Sequence, residues 1–321
     1  MIRNAIISAA AALIPGIVLS SLIASSQTRP IKKINKAVMS LASGDLDARI
    51  NLEGNGELGM LARSIDNMTE DLSNLEKSRR SFVASVSHEL RSPLTCIRGY
   101  IEGIQDGTIP AEEQSRYLDI VISETDRLSA LVNDLLNLSR IESGKVPLNL
   151  TDFDINEQLR LALIRFEPKI EKKDLQVEAM IRDDPILVNA DVSRISQVLT
   201  NLLDNAIKFL PEKGTLTVSA YPAGAQCMVS VKDNGPGISQ EDLPFIFDRF
   251  YKADKAHTSG MGTGLGLSIV KKIIEQHGQT IKVNSTLGVG TEFVFTLPLG
   301  EQEQRSSHTE TTKEDGTDEG I

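Results

Sequence analysis

Asn201-Leu202-Leu203-Asp204-Asn205-Ala206-Ile207-Lys208 decides the fold of the C-terminal half of this chain. Residues 201, 205 and 208 are four and three positions apart, so on a helix two amides and one ammonium project from a single face. Leu199, Leu202, Leu203 and Ala206 make the other face apolar, as packing on a second layer requires. A stripe turned merely to solvent would be rich in Glu and Lys, yet here Asn recurs. Amide oxygens suit a hard Mg2+ ion with its water shell, and the ammonium suits phosphate oxygens. Around this helix (Ser193 to Phe209), two further helical patterns, Ile155 to Phe166 and Gly266 to His277, alternate with strand patterns. The strands are Leu175 to Ile181, Thr215 to Ala220, Cys227 to Lys232, Ile281 to Asn284 and Glu292 to Leu297. The pattern predicts an α/β sandwich over residues 146–299, with helices on one face of a mixed sheet and enough length to fold alone.

Two glycine-bearing segments accompany that helix. Asp233-Asn234-Gly235-Pro236-Gly237 follows a strand directly and also suits a plain turn. In a binding role, Asp233 would accept a hydrogen bond from the exocyclic amine of adenine, while Gly235 and Gly237 let the backbone approach the ring. Gly260-Met261-Gly262-Thr263-Gly264-Leu265-Gly266-Leu267 opens the last strong helix. Glycines ahead of a helix N-terminus leave an amide-lined site for phosphates. A dinucleotide fingerprint would need a strand before those glycines, and a polar loop stands there instead.

Upstream the chain is helical. Apolar residues recur at Ile31, Ile34, Val38 and Leu41, then, after a break holding Gly44, Gly54 and Gly56, at Leu58, Leu61, Ile65, Met68, Leu72 and Leu75. Alternating steps of three and four form a heptad seam, and two such helices bury their stripes as a parallel homodimeric four-helix bundle. The seam continues through Phe82, Val86, Leu90, Leu94, Ile97, Ile101 and Ile104, breaks at Gly107 to Pro110, and resumes from Tyr117 to Leu138, ending near Ser143-Gly144. That is an antiparallel hairpin, two copies of which make a second four-helix bundle. Its first helix carries Ser87-His88-Glu89-Leu90-Arg91-Ser92-Pro93-Leu94-Thr95. A neutral imidazole is a good nucleophile near pH 7, given an ordinary pKa of ~6.5, and an adjacent carboxylate can polarise it. Of the other histidines, His277 is explained by a helix end that tolerates a cation, His308 lies in a polar tail, and His257 lies in a polar loop.

The segment from Ser87 to Thr95 resembles the phosphoacceptor box of sensor histidine kinases. Downstream, Asn201 to Lys208, Asp233 to Gly237 and Gly260 to Leu267 resemble, in order, the N, G1 and G2 boxes of the GHKL ATPase fold. Phe245 to Tyr251 is similar to the F box, and Gly290-Thr291-Glu292-Phe293 to the last adenine-side motif. Pro30 and the Glu57-Leu58-Gly59 opening give residues 29–79 the look of a HAMP domain. The resemblance implies that His88 accepts the γ-phosphoryl of ATP with Glu89 as base or polariser, that Asn205 coordinates Mg2+, and that Asn201 and Lys208 meet the phosphates. It further implies that Asp233 reads adenine, and that segment 250–263 is a lid with Arg249 and Lys252 near the γ-phosphate. Gly262, Gly264, Leu265, Gly266 and Thr291 belong to the same ATP site. The family's usual Thr or Asn four residues after the histidine, which serves regulator dephosphorylation, is Ser92 here. Phe209 stands where Tyr is common, keeping the ring without the hydroxyl. The implied activity is autophosphorylation on His88 and transfer to an aspartate of a cytoplasmic response regulator. Two rivals are a GHKL motor ATPase, which carries Glu where Asn201 stands, and an ATP-gated dimeric scaffold or dedicated phosphatase, which the complete glycine boxes disfavour.

Charge separates the ends of the chain. Of 321 residues, 34 are basic and 44 acidic, a net charge of −10 that argues against nucleic acid as a partner. Cys96 and Cys227 lack the spacing of a metal site or a disulfide framework. Between Arg3 and Arg29 no residue is charged, and Ala5 to Ala24 is apolar or small, so residues 4–28 read as one transmembrane helix across a core ~30 Å thick. A cleaved signal would have a shorter apolar run. Arg29, Lys32, Lys33 and Lys36 follow without an acid, which puts the catalytic domains in the cytoplasm and the chain in the cell membrane as a single-pass protein. Many relatives place a sensor between two spans, whereas this sequence opens on what looks like the second; the readings are an intramembrane signal, a membrane or extracytoplasmic sensor partner, or a protein that begins upstream of Met1. The expected order is completed by the phosphoacceptor hairpin at 80–145 and a disordered acidic tail at 300–321.

Overall fold

In a computed structural model of the chain, residues 2–50, 56–142, 147–182, 184–252 and 262–300 are described, with most side chains between residues 3 and 27 outside that description. His257, His308, Gly260-Met261, the central part of the expected lid, Ser143-Gly144 and the acidic tail from Glu301 lie outside the described residues. The chain divides into two compact units, residues 1–88 and 89–321.

The first unit is helical. Helix α1 spans Ile2–Ala42 without interruption, so the expected span Ala5 to Ala24 is continuous helical backbone with the segment after Pro30. Among the described residues, no helix is long and apolar enough to cross a membrane. Helix α2 spans Glu57–Gln105 and carries both the second HAMP-like stripe and the phosphoacceptor stripe. Ile34 on α1 and Ala62 on α2 are buried with Ile50 of the connector, and Ala37, Leu58 and Ile65 pack against them. The Ile50 N–H donates to Asp66 Oδ1 at 2.8 Å, which pins the connector onto α2. Ile31, Val38, Leu61, Met68, Leu72 and Leu75 of the seam stay exposed in the single chain.

In the second unit, α2 continues to Gln105 and turns through Gly107, which adopts φ +78°. Thr108 N–H donates to Asp106 Oδ1 at 2.9 Å and Ile109 N–H to Gly103 O at 2.9 Å, closing the turn into helix α3, Gln114–Glu142. Tyr100 and Tyr117 stack across the hairpin with ring centroids 5.0 Å apart.

The sandwich follows. A short antiparallel pair, β1 (Thr151–Asp154) and β3 (Leu187–Ala190), flanks a sheet of β2 (Gln176–Met180), β4 (Thr215–Ala223), β5 (Gln226–Asp233), β6 (Ile281–Thr286) and β7 (Gly290–Pro298). The sheet order is β2-β4-β5-β7-β6, parallel at β2–β4 and antiparallel elsewhere, as the mixed-sheet expectation has it. Helices α4 (Ile155–Lys172), α5 (Val192–Phe209) and α6 (Gly266–Gln276) supply the apolar layer. Leu199, Leu202 and Leu203 of α5 are fully buried, at about 1.5–3 kcal/mol per side chain, against Val218, Val229, Val231 and Phe295 of the sheet, which are buried too. Sequence patterns leave out β1 and β3, which run directly into helix starts and become strands only by pairing with each other.

One expectation needs correction. His277 does more than tolerate a cation at a helix end, because its Nε2 accepts the Asp191 N–H at 3.1 Å while Nδ1 lies 2.8 Å from Ile273 O. That geometry uses the neutral Nδ1–H ring and ties the end of α6 to the start of α5. Asp191 in turn caps α5, accepting from the N–H groups of Ser193 and Arg194.

Candidate active site

Three walls of the candidate site come from one helix face, a strand end with its following loop, and a loop segment of the second unit. The first is α5, whose buried apolar face forces Asn201, Asn205 and Lys208 to the opposite, half-buried side. Asn201 Nδ2 donates to Gly266 O at 3.4 Å, holding the last glycine of the G2-like segment against α5. Gly262 has φ +80°, and a Cβ there would lie 2.5 Å from Lys208 Nζ, so a glycine lets this loop close over the ammonium. Lys208 Nζ lies 4.9 Å from the ring centroid of Phe209, which is itself exposed. Burial lowers the Lys208 ammonium to about 8; Lys252 and Arg127 add to the fall, and Asp204 opposes it. The site therefore presents a cation at neutral pH and loses it as pH rises through about 8.

The second wall is the end of β5. Asp233 is buried, and its Oδ1 accepts the Gly235 N–H at 2.9 Å. Burial pushes this carboxyl above its ordinary range, while the backbone N–H groups of Gly235 and Thr291 pull it back. Gly237, at φ +71°, touches the β6–β7 hairpin so closely that a Cβ would sit 2.1 Å from Thr286 O. Thr291 is buried, its hydroxyl 2.9 Å from Ser285 Oγ. The Asp233 bond to the N–H two residues on is that of an Asx turn, so the turn alternative holds for the backbone here, and the same buried carboxylate beside glycine backbone has the chemistry to accept from an amine on a flat ring.

The third wall is the segment from Leu243 to Lys252. A single 3-10 turn, Leu243–Phe245, starts it, and Phe247 packs edge-on against Phe293 of β7 with centroids 6.3 Å apart. Tyr251 donates to Asp242, and the Phe250 N–H donates to Gly264 O at 2.9 Å, coupling this segment to the second glycine loop. Leu265 is fully buried at the start of α6, whereas Arg249 is exposed.

Glu89, on α2, meets this third wall. Lys252 Nζ lies 2.9 Å from Glu89 Oε1, and Arg127 Nη2 of α3 lies 3.4 Å from Glu89 Oε2. Two more contacts tie the hairpin to the sandwich: Thr263 donates to Asp134 at 2.9 Å, and Gln276 Nε2 donates to Ile141 O at 2.7 Å. Burial raises the Asp134 carboxyl, offset by the Thr263 hydroxyl. Sequence reasoning missed Arg127, Asp134 and Gln276. The signal for Asp134 was an acid among the leucines of α3, and the other two carry none. His88 and Ser92 are exposed on α2, one turn apart.

Comparison with known proteins fits this arrangement. Residues 190–301 match the family described as Histidine kinase-, DNA gyrase B-, and HSP90-like ATPase, residues 78–144 the His Kinase A (phospho-acceptor) domain, and residues 22–74 the HAMP domain. Sensor histidine kinase YclK of Bacillus subtilis is 33% identical over 301 residues, 91% of this chain and 63% of that protein. The chain thus spans less than two thirds of this relative's length. The structure of the Acinetobacter baumannii histidine kinase AdeS matches with a TM-score of 0.55 and 31% identity, covering 67% of this chain and 98% of that one. A crystal structure of histidine kinase ThkA in complex with response regulator protein TrrA matches with a TM-score of 0.58 and 31% identity over 73% of this chain and 67% of that one. The chain belongs to the sensor histidine kinases of two-component systems.

Proposed function

We propose that the chain phosphorylates itself on His88 from ATP and passes the phosphoryl group to an aspartate of a response regulator. The observation that carries this reading is the pairing of Glu89, next to His88 on α2, with Lys252 of the sandwich. It links the helix bearing the acceptor to the nucleotide-facing segment. In the reaction, an imidazole nitrogen of His88 attacks the γ-phosphorus, the bond to the β–γ bridging oxygen breaks, ADP leaves, and the ring N–H proton passes to Glu89. Lys208 and Asn201 meet the phosphate oxygens, Gly262, Gly264, Leu265 and Gly266 line them, and Asp233 with Gly235, Gly237 and Thr291 orients adenine. Phe209 flanks the phosphate side, and Arg249 and Lys252 approach the γ-phosphate.

The donor set fits Mg2+. Among the described residues no cluster of three His, Cys, Asp or Glu stands together; a divalent ion would be held by the Asn205 amide oxygen, phosphate oxygens and water, a combination Mg2+ favours. When bound, the ion offsets charge on the phosphates.

The rest of the reading is architectural: a membrane span at 4–28 anchored in lipid, a HAMP-like segment at 29–79, the phosphoacceptor hairpin at 80–145, the ATP-binding domain at 146–299 and an acidic tail. We place the protein in the cell membrane with its catalytic part in the cytoplasm. A homodimer is supported by the exposed seam residues of α1 and α2 and by Leu118, Ile122, Val132 and Leu136, exposed along α3. We assign Ser92, one turn past His88 and exposed, the role of orienting water for regulator dephosphorylation.

Chasing the phosphorylated chain with the response regulators of its source organism tests the whole reading. Label should move within minutes to one regulator and vanish when that regulator's acceptor aspartate is replaced. Label that stays on the chain against every regulator would overturn the transfer step.

A further inference from the structure

Glu89 holds two cations, and they belong to different parts of the second unit. Arg127 sits on α3, in the same hairpin as Glu89, and reaches Oε2 with Nη2 at 3.4 Å. Lys252 sits at the end of the third wall, directly before residues 253–261, and reaches Oε1 with Nζ at 2.9 Å. All three side chains are about one-fifth exposed, so water screens the network only in part. Arg127 is further steadied by Glu124, one turn earlier on α3, at 3.5 Å.

The two cations differ in what a swing of the sandwich does to them. Any movement that carries Lys252 toward the phosphates of a bound nucleotide takes it from Glu89, whereas Arg127 stays with the hairpin. A carboxylate left with no counter-charge in a half-buried place would swing away or need water. We propose that Arg127 is the positioning residue of the phosphoacceptor site: it keeps the Glu89 carboxylate aimed beside His88 after Lys252 has moved to the nucleotide. Lys252 is then the exchangeable partner, shared between Glu89 and phosphate. The field of both cations at Lys208, which lowers that ammonium alongside its burial, places all three near one space. Arg suits the fixed role because its planar fork serves Glu89 and Glu124 together, which a lysine point charge does not.

The inference rests on the autophosphorylation reading, and the two can fail separately. Labelling of the parent chain and its loss in His88→Gln test that reading, while ratios among further variants test Arg127. Initial rates of γ-label incorporation are measured against ATP concentration on the detergent-solubilised full chain. Arg127→Ala should lower kcat about a hundredfold, the scale of a misplaced catalytic group, and leave the KM for ATP unchanged. Arg127→Lys should recover part of that loss, and thermal unfolding by circular dichroism should match the parent in both. Glu89→Gln should also lower kcat, and adding Arg127→Ala to it should lower kcat no further, because Arg127 acts through Glu89. Multiplied losses in the double variant would overturn the assignment. So would a raised KM at unchanged kcat, which would make Arg127 a nucleotide contact.

Discussion

A His88→Gln chain incubated with Mg2+ and γ-labelled ATP should carry no acid-labile, base-stable label, while binding ATP as the parent does. Glutamine keeps approximate size and hydrogen bonding but has no nucleophilic ring nitrogen. The residues proposed to hold adenine and the α- and β-phosphates lie on α5, β7, the end of β5 and the loop before α6, away from position 88 in the chain; only Lys252, paired with Glu89, comes near it. The effect should be complete, because the remaining described histidine is a poor substitute. His277 has Nε2 taken up by the Asp191 N–H and Nδ1 by Ile273 O. Label surviving in His88→Gln would place the acceptor elsewhere and sink the assignment.

Replacing Asn205 with Asp is the second large effect. The substitution is nearly isosteric, and the packing of α5 rests on Leu199, Leu202, Leu203 and Ala206 on the other face, so thermal unfolding should hardly move. It nevertheless puts a negative charge three residues from Lys208, on the face proposed to meet phosphates. An i,i+3 carboxylate can take that ammonium for itself, and it repels the triphosphate. Loss of one charge-assisted contact together with that repulsion amounts to about 2–3 kcal/mol, or roughly 30- to 150-fold in affinity for Mg-ATP. Calorimetric titration of the variant with Mg-ATP measures it. Parent-like affinity and autophosphorylation would remove Asn205 from the metal site.

The layout of the chain was legible wherever a short-range period governs it. Alternating three- and four-residue steps foretold α2 and α3, and the switch to alternation foretold five of the seven strands, because side chains of one element decide which face is buried. The wall proposed for nucleotide was legible as a surface for a similar reason: Asn201, Asn205 and Lys208 share a helix face by spacing alone, and Asp233 ends its strand. What stayed hidden depends on partners distant in sequence. Nothing near Ile50 announces that its N–H reaches Asp66, and β1 becomes a strand only through pairing with β3. His277 looked like a generic helix end until Asp191, 86 residues away, supplied the donor for its Nε2. The Arg127–Glu89–Lys252 cluster gathers residues from two helices and a loop, and one arginine on an amphipathic helix is ordinarily a solvated charge.

The acid and base stability of the label on the parent chain tests the central claim most directly. After incubation with γ-labelled ATP and Mg2+, the account predicts a phosphoryl group that survives alkali, is lost in mild acid, and maps to the peptide containing His88. Acid-stable label on a hydroxyl residue would contradict it, as would steady release of phosphate with no label on the chain, the behaviour of a GHKL motor ATPase.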